Sequence, residues 1–275
     1  MRLLIDDTLV TAPFVAPLRA GWVTPAAGIA AEARPGLRAG AVDAADAALL
    51  PLPEATLLAG HALLPDVAVV ADSVGAVGLR TPVRPDEVAA TAVRLVGDAG
   101  IAGGLAGASG GAEALARATL HAFYGITVTD WLRDDGAPAQ AVVVEGIEAL
   151  RPAEGGHAED LCRAWFILVG LPFVSHALVV PADAGRDALS RLVATLDTLR
   201  AAGEERRKEW RGELADREGI PRDRIVALFQ ALRWELGPEE RKGVNALLSR
   251  GLRGSAYPAA NLRFLDPVRQ DSTPF

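Results

Sequence analysis

The segment that decides the fold is WFILVGLPFVSHALVV, residues 165–180. Its first part completes an amphipathic helix that begins near Asp160, and its last part is an apolar, β-branched run that stops at Pro181. Gly170 can end the helix in a left-handed conformation, and Pro172 fixes φ in the connection that follows. The segment therefore predicts a helix, a short bridge and a buried strand, with the bridge acting as a hinge between two lobes.

Short apolar runs alternate with helical patterns before this segment, whereas the chain after it is almost wholly helical. Predicted strands cover residues 2–5, 28–32, 48–50, 61–70 (as a strand pair), 73–80, 101–105 and 140–144. Predicted helices cover residues 13–20, 41–47, 85–96, 112–123, 158–168, 186–202, 204–218, 221–235 and 238–250. Alternation of this kind favours parallel β/α units.

Two sets of β/α units joined by two apolar bridges predict an α/β protein with two lobes and a central cleft. This is the topology of type-II periplasmic binding proteins, here with a helical C-terminal tail. Lobe one is expected to comprise residues 1–81 and 178–275, and lobe two residues 82–177. In proteins of this topology the cleft holds small anions between facing loops and helix N-termini.

Composition narrows the possible partners. The 275 residues carry a net charge of −7, and no basic cluster stands apart from acidic neighbours, which argues against nucleic acid. No window is apolar for the eighteen or so residues that a membrane-spanning helix needs. The N-terminal Leu3-Leu4-Ile5-Asp6-Asp7 does not resemble a secretory signal, so we expect a cytoplasmic protein. The single cysteine, Cys162, excludes an internal disulfide and is expected to pack as a small apolar side chain.

A glycine-rich loop, residues 103–111, precedes the helix predicted from Ala112. Glycines let backbone N–H groups approach a ligand, the helix N-terminus carries partial positive charge, and Ser109 adds a hydroxyl. The pattern predicts an anion cradle, although a flexible turn is the alternative. Glu113, in the first helical turn, favours the helix dipole but weakens the capture of an anion.

Small hydroxyl side chains lie where predicted strands end, at Thr8, Thr11 and Ser73, and this is where open α/β folds bind ligands. Capping of the helix that follows is the alternative for Thr11. His176 in the bridge strand and Glu145 at a strand end are candidates for acid–base chemistry. A hydrogen-bonded core histidine and an ion-paired surface glutamate are the corresponding alternatives. The four histidines show no metal-binding spacing, so we expect no metal site.

Several segments, taken in order, resemble the chorismate dehydratases of the futalosine route to menaquinone, a family related to the dihydroxynaphthoate synthases. The most specific match is residues 160–174, with Trp165 followed by Gly-Leu-Pro-Phe-Val. The other matching segments are Leu9–Phe14, Val42–Pro51, Ser73-Val74, Phe123-Tyr124-Gly125, Gly251-Leu252 and Leu262–Phe264. The resemblance thus extends over nearly the whole chain, at low identity.

Three polar positions of that family are changed here. Its Tyr-Leu-Asn-Thr-x-Pro reads Thr8 to Pro13, with Val10 in place of asparagine. Its Ser-Arg-Thr-Ser loop reads Ser109 to Ala112, with Gly111 in place of a hydroxyl residue. Its Ile-Gly-Asp strand end reads Glu145 to Ile147.

The resemblance implies a cofactor-free loss of water from chorismate or a chorismate-like carboxylate, giving an enolpyruvyl-benzoate. The protein would chiefly orient the substrate, which itself could assist proton removal. Candidate catalytic residues are Thr11, Ser109, His176 and Glu145. Expected substrate-binding residues are Thr8, Val10, Thr11, Ser73, Val74, Ser109, Gly110, Gly111, Gly170 and Pro172. A non-catalytic binder of a small carboxylate and a lyase with a changed substrate are the alternatives. The partner is then a small anion, and a homodimer is possible.

Overall fold

A computed structural model describes residues 1–97, 109–133, 139–153, 155–258 and 262–269 of the chain. Its strands are β1 (Arg2–Asp6), β2 (Ala30–Arg34), β3 (Ala47–Pro51), β4 (His61–Ala71), β5 (Val77–Thr81), β6 (Ala90–Val96), β7 (Thr127–Leu132), β8 (Ala141–Glu145), β9 (His157–Asp160), β10 (Phe173–Pro181) and β11 (Leu232–Arg233). Its α-helices are α1 (Ala12–Arg19), α2 (Leu52–Ala55), α3 (Gly110–Tyr124), α4 (Ile147–Leu150), α5 (Leu161–Val169), α6 (Arg186–Glu205), α7 (Arg207–Glu218), α8 (Arg222–Ala231) and α9 (Pro238–Gly251). None of the helices in these described ranges is long and apolar enough to cross a bilayer.

The central strands of the first sheet, β3, β4 and β10, are buried on both faces. Its strand order is β11-β4-β10-β3-β1-β2, with β1 parallel to β2 and β3, and β10 antiparallel to β3 and β4. Successive residues of β10 contribute to opposite cores: Ala177 and Val179 pack into one, Leu178 and Val180 into the other. Burial on both faces explains why these strands are continuous apolar runs instead of alternating patterns.

The second sheet is partly exposed. Its order is β7-β6-β8-β5-β9, with β6 parallel to β7 and β8 but β5 antiparallel to β8 and β9. In β6, Thr91, Val93 and Leu95 are buried while the residues between them are half-exposed. This alternation is typical of a strand with one face towards a core and the other towards solvent.

The predicted helix, bridge and strand at residues 160–180 are confirmed. The Asp160 carboxylate caps α5 by accepting hydrogen bonds from the backbone N–H groups of Cys162, at 2.7 Å, and Arg163, at 3.2 Å. The helix ends at Gly170, whose φ of 71° lies in the left-handed region. Pro172 is buried and leads directly into β10 in the first sheet.

Two helix predictions were wrong. Residues 85–96 form a short 3₁₀ turn and then β6, because the apolar residues there alternate with a period of two along the strand. Residues 41–47 contain the end of a 3₁₀ turn at Ala39–Ala41 and then lead irregularly into β3. Alanine has a high intrinsic helix propensity, which favoured the helix prediction. The alanines of β3, however, lie in a strand that is buried along its whole length, and tertiary packing decides its structure.

Smaller corrections concern element boundaries and strand direction. Residues 61–70 form one long strand and not a pair, and the helix predicted from residue 158 begins at Leu161, after β9. The helix predicted over 221–235 ends at Ala231 and is followed by β11. Both sheets are mixed and not purely parallel. The predicted strand 101–105 lies outside the described residues.

The division into lobes 1–81 with 178–275, and 82–177, stays a prediction. The chain passes from the first sheet to the second between Ala71 and Val77. It leaves the second sheet at Asp160 and, after α5 and the bridge at residues 170–172, returns to the first at Phe173. Each passage lies within about ten residues of the predicted boundary and contains a glycine, Gly75 or Gly170.

The outer edge of β4 is covered along most of its length. The Leu63 N–H donates to the carbonyl of Arg263, at 2.8 Å, and the Leu63 carbonyl accepts from Leu265, at 2.9 Å. Farther along, the Pro65 carbonyl accepts from Leu236, and β11 pairs with the last two residues of the strand. The C-terminal segment and the connection before α9 thus complete the first sheet.

Candidate functional site

A narrow crevice lies where the two sheets meet. Its walls come from the first sheet, the second sheet and the helix between them, and its lining residues are Thr8, Val10, Ala71, Ala76, Val77, Glu145, Gly146, Cys162, Phe173, Ser175 and Leu232. It leaves about 20 Å³ for the centre of a water-sized sphere, which is room for about one water molecule. A ligand the size of an aromatic acid therefore requires the crevice to widen.

Glu145 is the last residue of β8, and its carboxylate lies at the N-terminus of α3. Its carboxylate accepts a hydrogen bond from the backbone N–H of Ser109, at 2.7 Å, and another from the Ser109 hydroxyl, at 2.5 Å. The same hydroxyl accepts from the N–H of Ala112, at 3.2 Å, and so caps the helix. The position predicted to cradle an anion is thus taken by the protein's own Glu145 side chain, and binding of a ligand there stays a prediction. Residues 103–108 of that loop lie outside the described residues.

Burial dominates the electrostatics of Glu145. Its side chain is 7% exposed, and removal of water raises the pKa of the carboxyl group, an effect that the hydrogen bonds from Ser109 only partly offset. The electrostatic interaction with His176 also favours the charged form of Glu145, whereas the interaction with Asp6 opposes it. A carboxylate with a raised pKa is a stronger proton acceptor than a solvated one.

A second buried network lies on the side of the first sheet. His176 Nε2 is 3.3 Å from Asp6 Oδ2, and His176 Nδ1 is 3.1 Å from the Ser175 hydroxyl oxygen. Asp6 also accepts from the backbone N–H of Leu37, at 2.8 Å. Asp6 and His176 are each 1% exposed, and Ser175 is the member that reaches the crevice. His176 is a hydrogen-bonded core histidine that contacts the crevice only through its neighbour.

Thr8 and Thr11 lie in one 3₁₀ turn but face differently. Thr8 and Val10 line the crevice. The Thr11 hydroxyl accepts from the Thr8 N–H, at 3.1 Å, and donates to the backbone carbonyl of Asp6, so it is satisfied inside the turn and fully buried. Thr11 stands at the N-cap position of α1, but its side chain makes no capping hydrogen bond to that helix and instead closes the preceding turn.

The other predicted binding residues do not line this crevice. Ser73, Val74 and Gly170 are exposed at the two passages between the sheets. Pro172 is buried against α9, and Gly110 packs against the Tyr257 ring so closely that a side chain at position 110 would collide with it. Gly111 lies next to the backbone of Ser175: a Cβ at position 111 would be 3.4 Å from the Ser175 carbonyl oxygen.

Sequence reasoning missed three residues of the site. Asp6 carried a usable signal, because it is a carboxylate at the carboxyl end of the first strand. Cys162 lines the crevice, although burial raises the pKa of its thiol and keeps it protonated. Ser175 gave no signal of its own, because its position depends on an irregularity in β10. In the described ranges, histidine, cysteine and carboxylate side chains do not gather in groups of three that could hold a metal ion.

Comparison with solved structures shows the fold. Protein AF1704 from Archaeoglobus fulgidus is similar with a TM-score of 0.68 and 14% identity, over 92% of this chain and 97% of that one. The aliphatic sulphonate-binding protein SsuA from Escherichia coli is similar with a TM-score of 0.54 and 13% identity, over 100% and 94%. SsuA from Xanthomonas axonopodis pv. citri, bound to MOPS, gives 0.58 and 12%, over 90% and 91%. The chain therefore has a periplasmic-binding-protein-like fold.

Family comparison agrees with the resemblance found in the sequence. A search of curated protein sequences gave no match. The family model described as menaquinone biosynthesis, however, matches residues 61–253, which include the whole of β4, the second sheet, the bridge and the helices from α3 through α9. Because this is well over half of the sequence, the chain belongs to the menaquinone biosynthesis family.

Proposed function

We propose that this protein is a cofactor-free lyase that removes water from chorismate or a chorismate-like carboxylate. The observation that carries the proposal is Glu145, a buried carboxylate whose raised pKa suits it to accept a proton and which lines the crevice between the two sheets. Membership of the menaquinone biosynthesis family supports the substrate class.

In this reaction a C–H bond breaks as Glu145 takes the proton, and the C–H electron pair forms the new ring double bond. The neighbouring C–O bond breaks and its oxygen leaves as water. The product ring is aromatic, which supplies much of the driving force, so the protein needs mainly to orient the substrate and move two protons. The Thr8 hydroxyl would hold the substrate beside Glu145, because both residues line the crevice.

Substrate entry requires movement between the sheets. The described backbone changes sheet between β4 and β5, at residues 72–76, and between β9 and β10, through α5 and the bridge at residues 170–172. We place the hinge at residues 72–76 and 170–172, within about ten residues of the predicted boundaries of the lobes 1–81 with 178–275 and 82–177. Closure around the substrate would then exclude water from Glu145.

The test is incubation of the purified protein with chorismate while the absorbance of an enolpyruvyl-benzoate product is followed. Glu145→Gln keeps groups that can bond Ser109 but removes the proton acceptor, and we expect turnover to fall by about 10²-fold or more. Glu148→Gln is the matched control: Glu148 lies three residues away, half-exposed and paired with Arg151 at 2.7 Å, and turnover should be unchanged.

Equal activity of the two variants would remove Glu145 from the chemistry, and an unchanged substrate with wild-type protein would overturn the lyase proposal. The same samples test the alternative function, a non-catalytic binder of a small carboxylate. Thermal stabilisation by chorismate or benzoates without turnover would favour that binder.

A further inference from the structure

Ser175 and His176 are consecutive residues of β10, yet their side chains bond to each other. In a regular strand, neighbouring side chains point to opposite faces. The pairing of β10 with β4 shifts here: Val174 is opposite Val70, and His176 is opposite Val69, so Ser175 is an extra residue in the strand. This β-bulge turns the Ser175 hydroxyl to within 3.1 Å of His176 Nδ1.

The bulge joins the crevice to a buried carboxylate. From Ser175 the hydrogen bonds lead through the imidazole of His176 to Asp6, which the Leu37 N–H fixes in orientation. Solvent does not reach His176 or Asp6, so a proton that enters or leaves this network does so through Ser175. The Ser175 hydroxyl also lies 3.3 Å from the Val69 carbonyl, a longer contact than that with the imidazole.

We infer that Ser175 is the catalytic hydroxyl that protonates the leaving oxygen, and that His176 and Asp6 are positioning residues that resupply its proton. The inference rests on the proposed lyase function and deepens it. Glu145 and Ser175 line the same crevice from the second and the first sheet respectively, so a substrate between them meets a proton acceptor on one side and a proton donor on the other.

The protons balance as follows. The protonated imidazole of His176 donates Nδ1–H to Ser175 and Nε2–H to the Asp6 carboxylate. As the C–O bond breaks, the Ser175 proton goes to the departing oxygen, and the Nδ1 proton replaces it on Ser175. His176 is left neutral, Glu145 carries the proton from carbon, and water is the leaving group. Transfer of one proton from Glu145 back to His176 restores the starting state without any external acid or oxidant.

The charged groups around His176 suit this role. Asp6 faces it from β1 at 3.3 Å, and Glu145 faces it from β8 closely enough for each charge to affect the other. Arg38 lies near Asp6 and exerts its charge there as well. Each sheet thus contributes a carboxylate to the surroundings of His176, Asp6 from the first and Glu145 from the second.

The test uses two substrates: chorismate, and an analogue that carries fluoride in place of the leaving hydroxyl. Fluoride leaves without protonation, so a general acid is needed only for chorismate. We expect Ser175→Ala to lower kcat on chorismate by about 10²-fold with KM changed less than about threefold, and to lower kcat on the analogue by less than about threefold. His176→Gln should show the same selectivity, and Ser175→Thr, which retains a hydroxyl, should recover most of the activity.

Two controls separate this inference from its alternatives. Glu145→Gln should impair both substrates equally, because proton removal from carbon is common to them. Ser190→Ala, which removes an exposed serine on α6, should leave both rates unchanged. Urea unfolding of each variant identifies loss of folded protein.

Each outcome has one meaning. Wild-type turnover with Ser175→Ala equally active, or equally impaired on both substrates, overturns the role of Ser175 alone. If the wild-type protein does not turn over chorismate, both the proposed function and the acid role of Ser175 are overturned.

Discussion

The two sheets contribute to the same crevice in different ways. The central strands of the first sheet are covered on both faces, and two buried polar residues there, Asp6 and His176, bond to each other. The second sheet is half-exposed, and its contribution, Glu145, is held among the described residues by Ser109, the N-cap of α3. A first sheet that holds Asp6 and His176 rigidly and a second sheet that holds Glu145 less rigidly would suit a cleft that opens and closes.

The largest difference between the sheets should be in stability. Leu178 is fully buried in β10, and we expect Leu178→Ala to lower the free energy of unfolding by about 2–5 kcal/mol. The comparison variant is Val142→Ala in β8, which is half-buried, with an expected loss of about 1 kcal/mol. Urea unfolding followed by circular dichroism measures both, and equal losses would contradict the idea of a more rigid first sheet.

The junction of the sheets should also be sensitive to added volume. Gly243 of α9 packs against the bridge, and a Cβ at this position would collide with the Pro172 carbonyl oxygen. We expect Gly243→Ala to cost about 1–3 kcal/mol of stability, because backbone on one side leaves little room to relax. In the matched control, Gly212→Ala in α7, the nearest atom to the new Cβ is the Arg222 guanidinium at 3.9 Å, so helix propensity should stabilise by about 0.5–1 kcal/mol. A neutral Gly243→Ala would show that α9 is free to shift.

The smallest contrast concerns pH. Burial raises the pKa of Glu145 above its ordinary 4.5, so its contribution to stability is greatest in acid and is lost as pH rises through the raised value. At Asp46, burial is outweighed by hydrogen bonds from Arg2 and from the Asp43 N–H, which lower the pKa below 3.8. Asp46 therefore stabilises the protein above that value, and the contribution is lost as pH falls.

The two variants should consequently differ in sign. Glu145→Gln should gain stability relative to wild type as pH rises from about 2.5 to about 8, whereas Asp46→Asn should lose it; these pH limits bracket the ordinary carboxyl values by about one unit or more. Thermal unfolding at intervals of pH measures both. Parallel curves for Glu145→Gln and wild type would show that the Glu145 carboxyl is not perturbed in the folded protein.

The sequence predicts the framework better than the site. The helix, bridge and strand of residues 160–180 follow from one glycine, one proline and the change of periodicity between them. The same method fails at residues 85–96, because charged residues at the start suggest a helical first turn while the decisive alternation begins only at Ala90. Local propensity does not show that residues 90–96 pair with β7 and β8, which are distant in the sequence.

The site depends on contacts that sequence order hides. Glu145 and Ser109 are separated by 36 residues, and Asp6 and His176 by 170. The sequence shows which kinds of residue could form the site, since hydroxyls and carboxylates lie at strand ends. It does not show which residues are hydrogen-bonded to each other. The bulge that turns Ser175 towards His176 changes the pairing of two strands by one residue, and no pattern within β10 announces it.

The covered edge of β4 has a consequence for the protein in solution. An eleven-residue apolar strand with free N–H and C=O groups would be a template on which other chains could add as further strands. Because residues 232–236 and 263–265 occupy those groups, the C-terminal region shields the molecule from self-association as well as completing its fold.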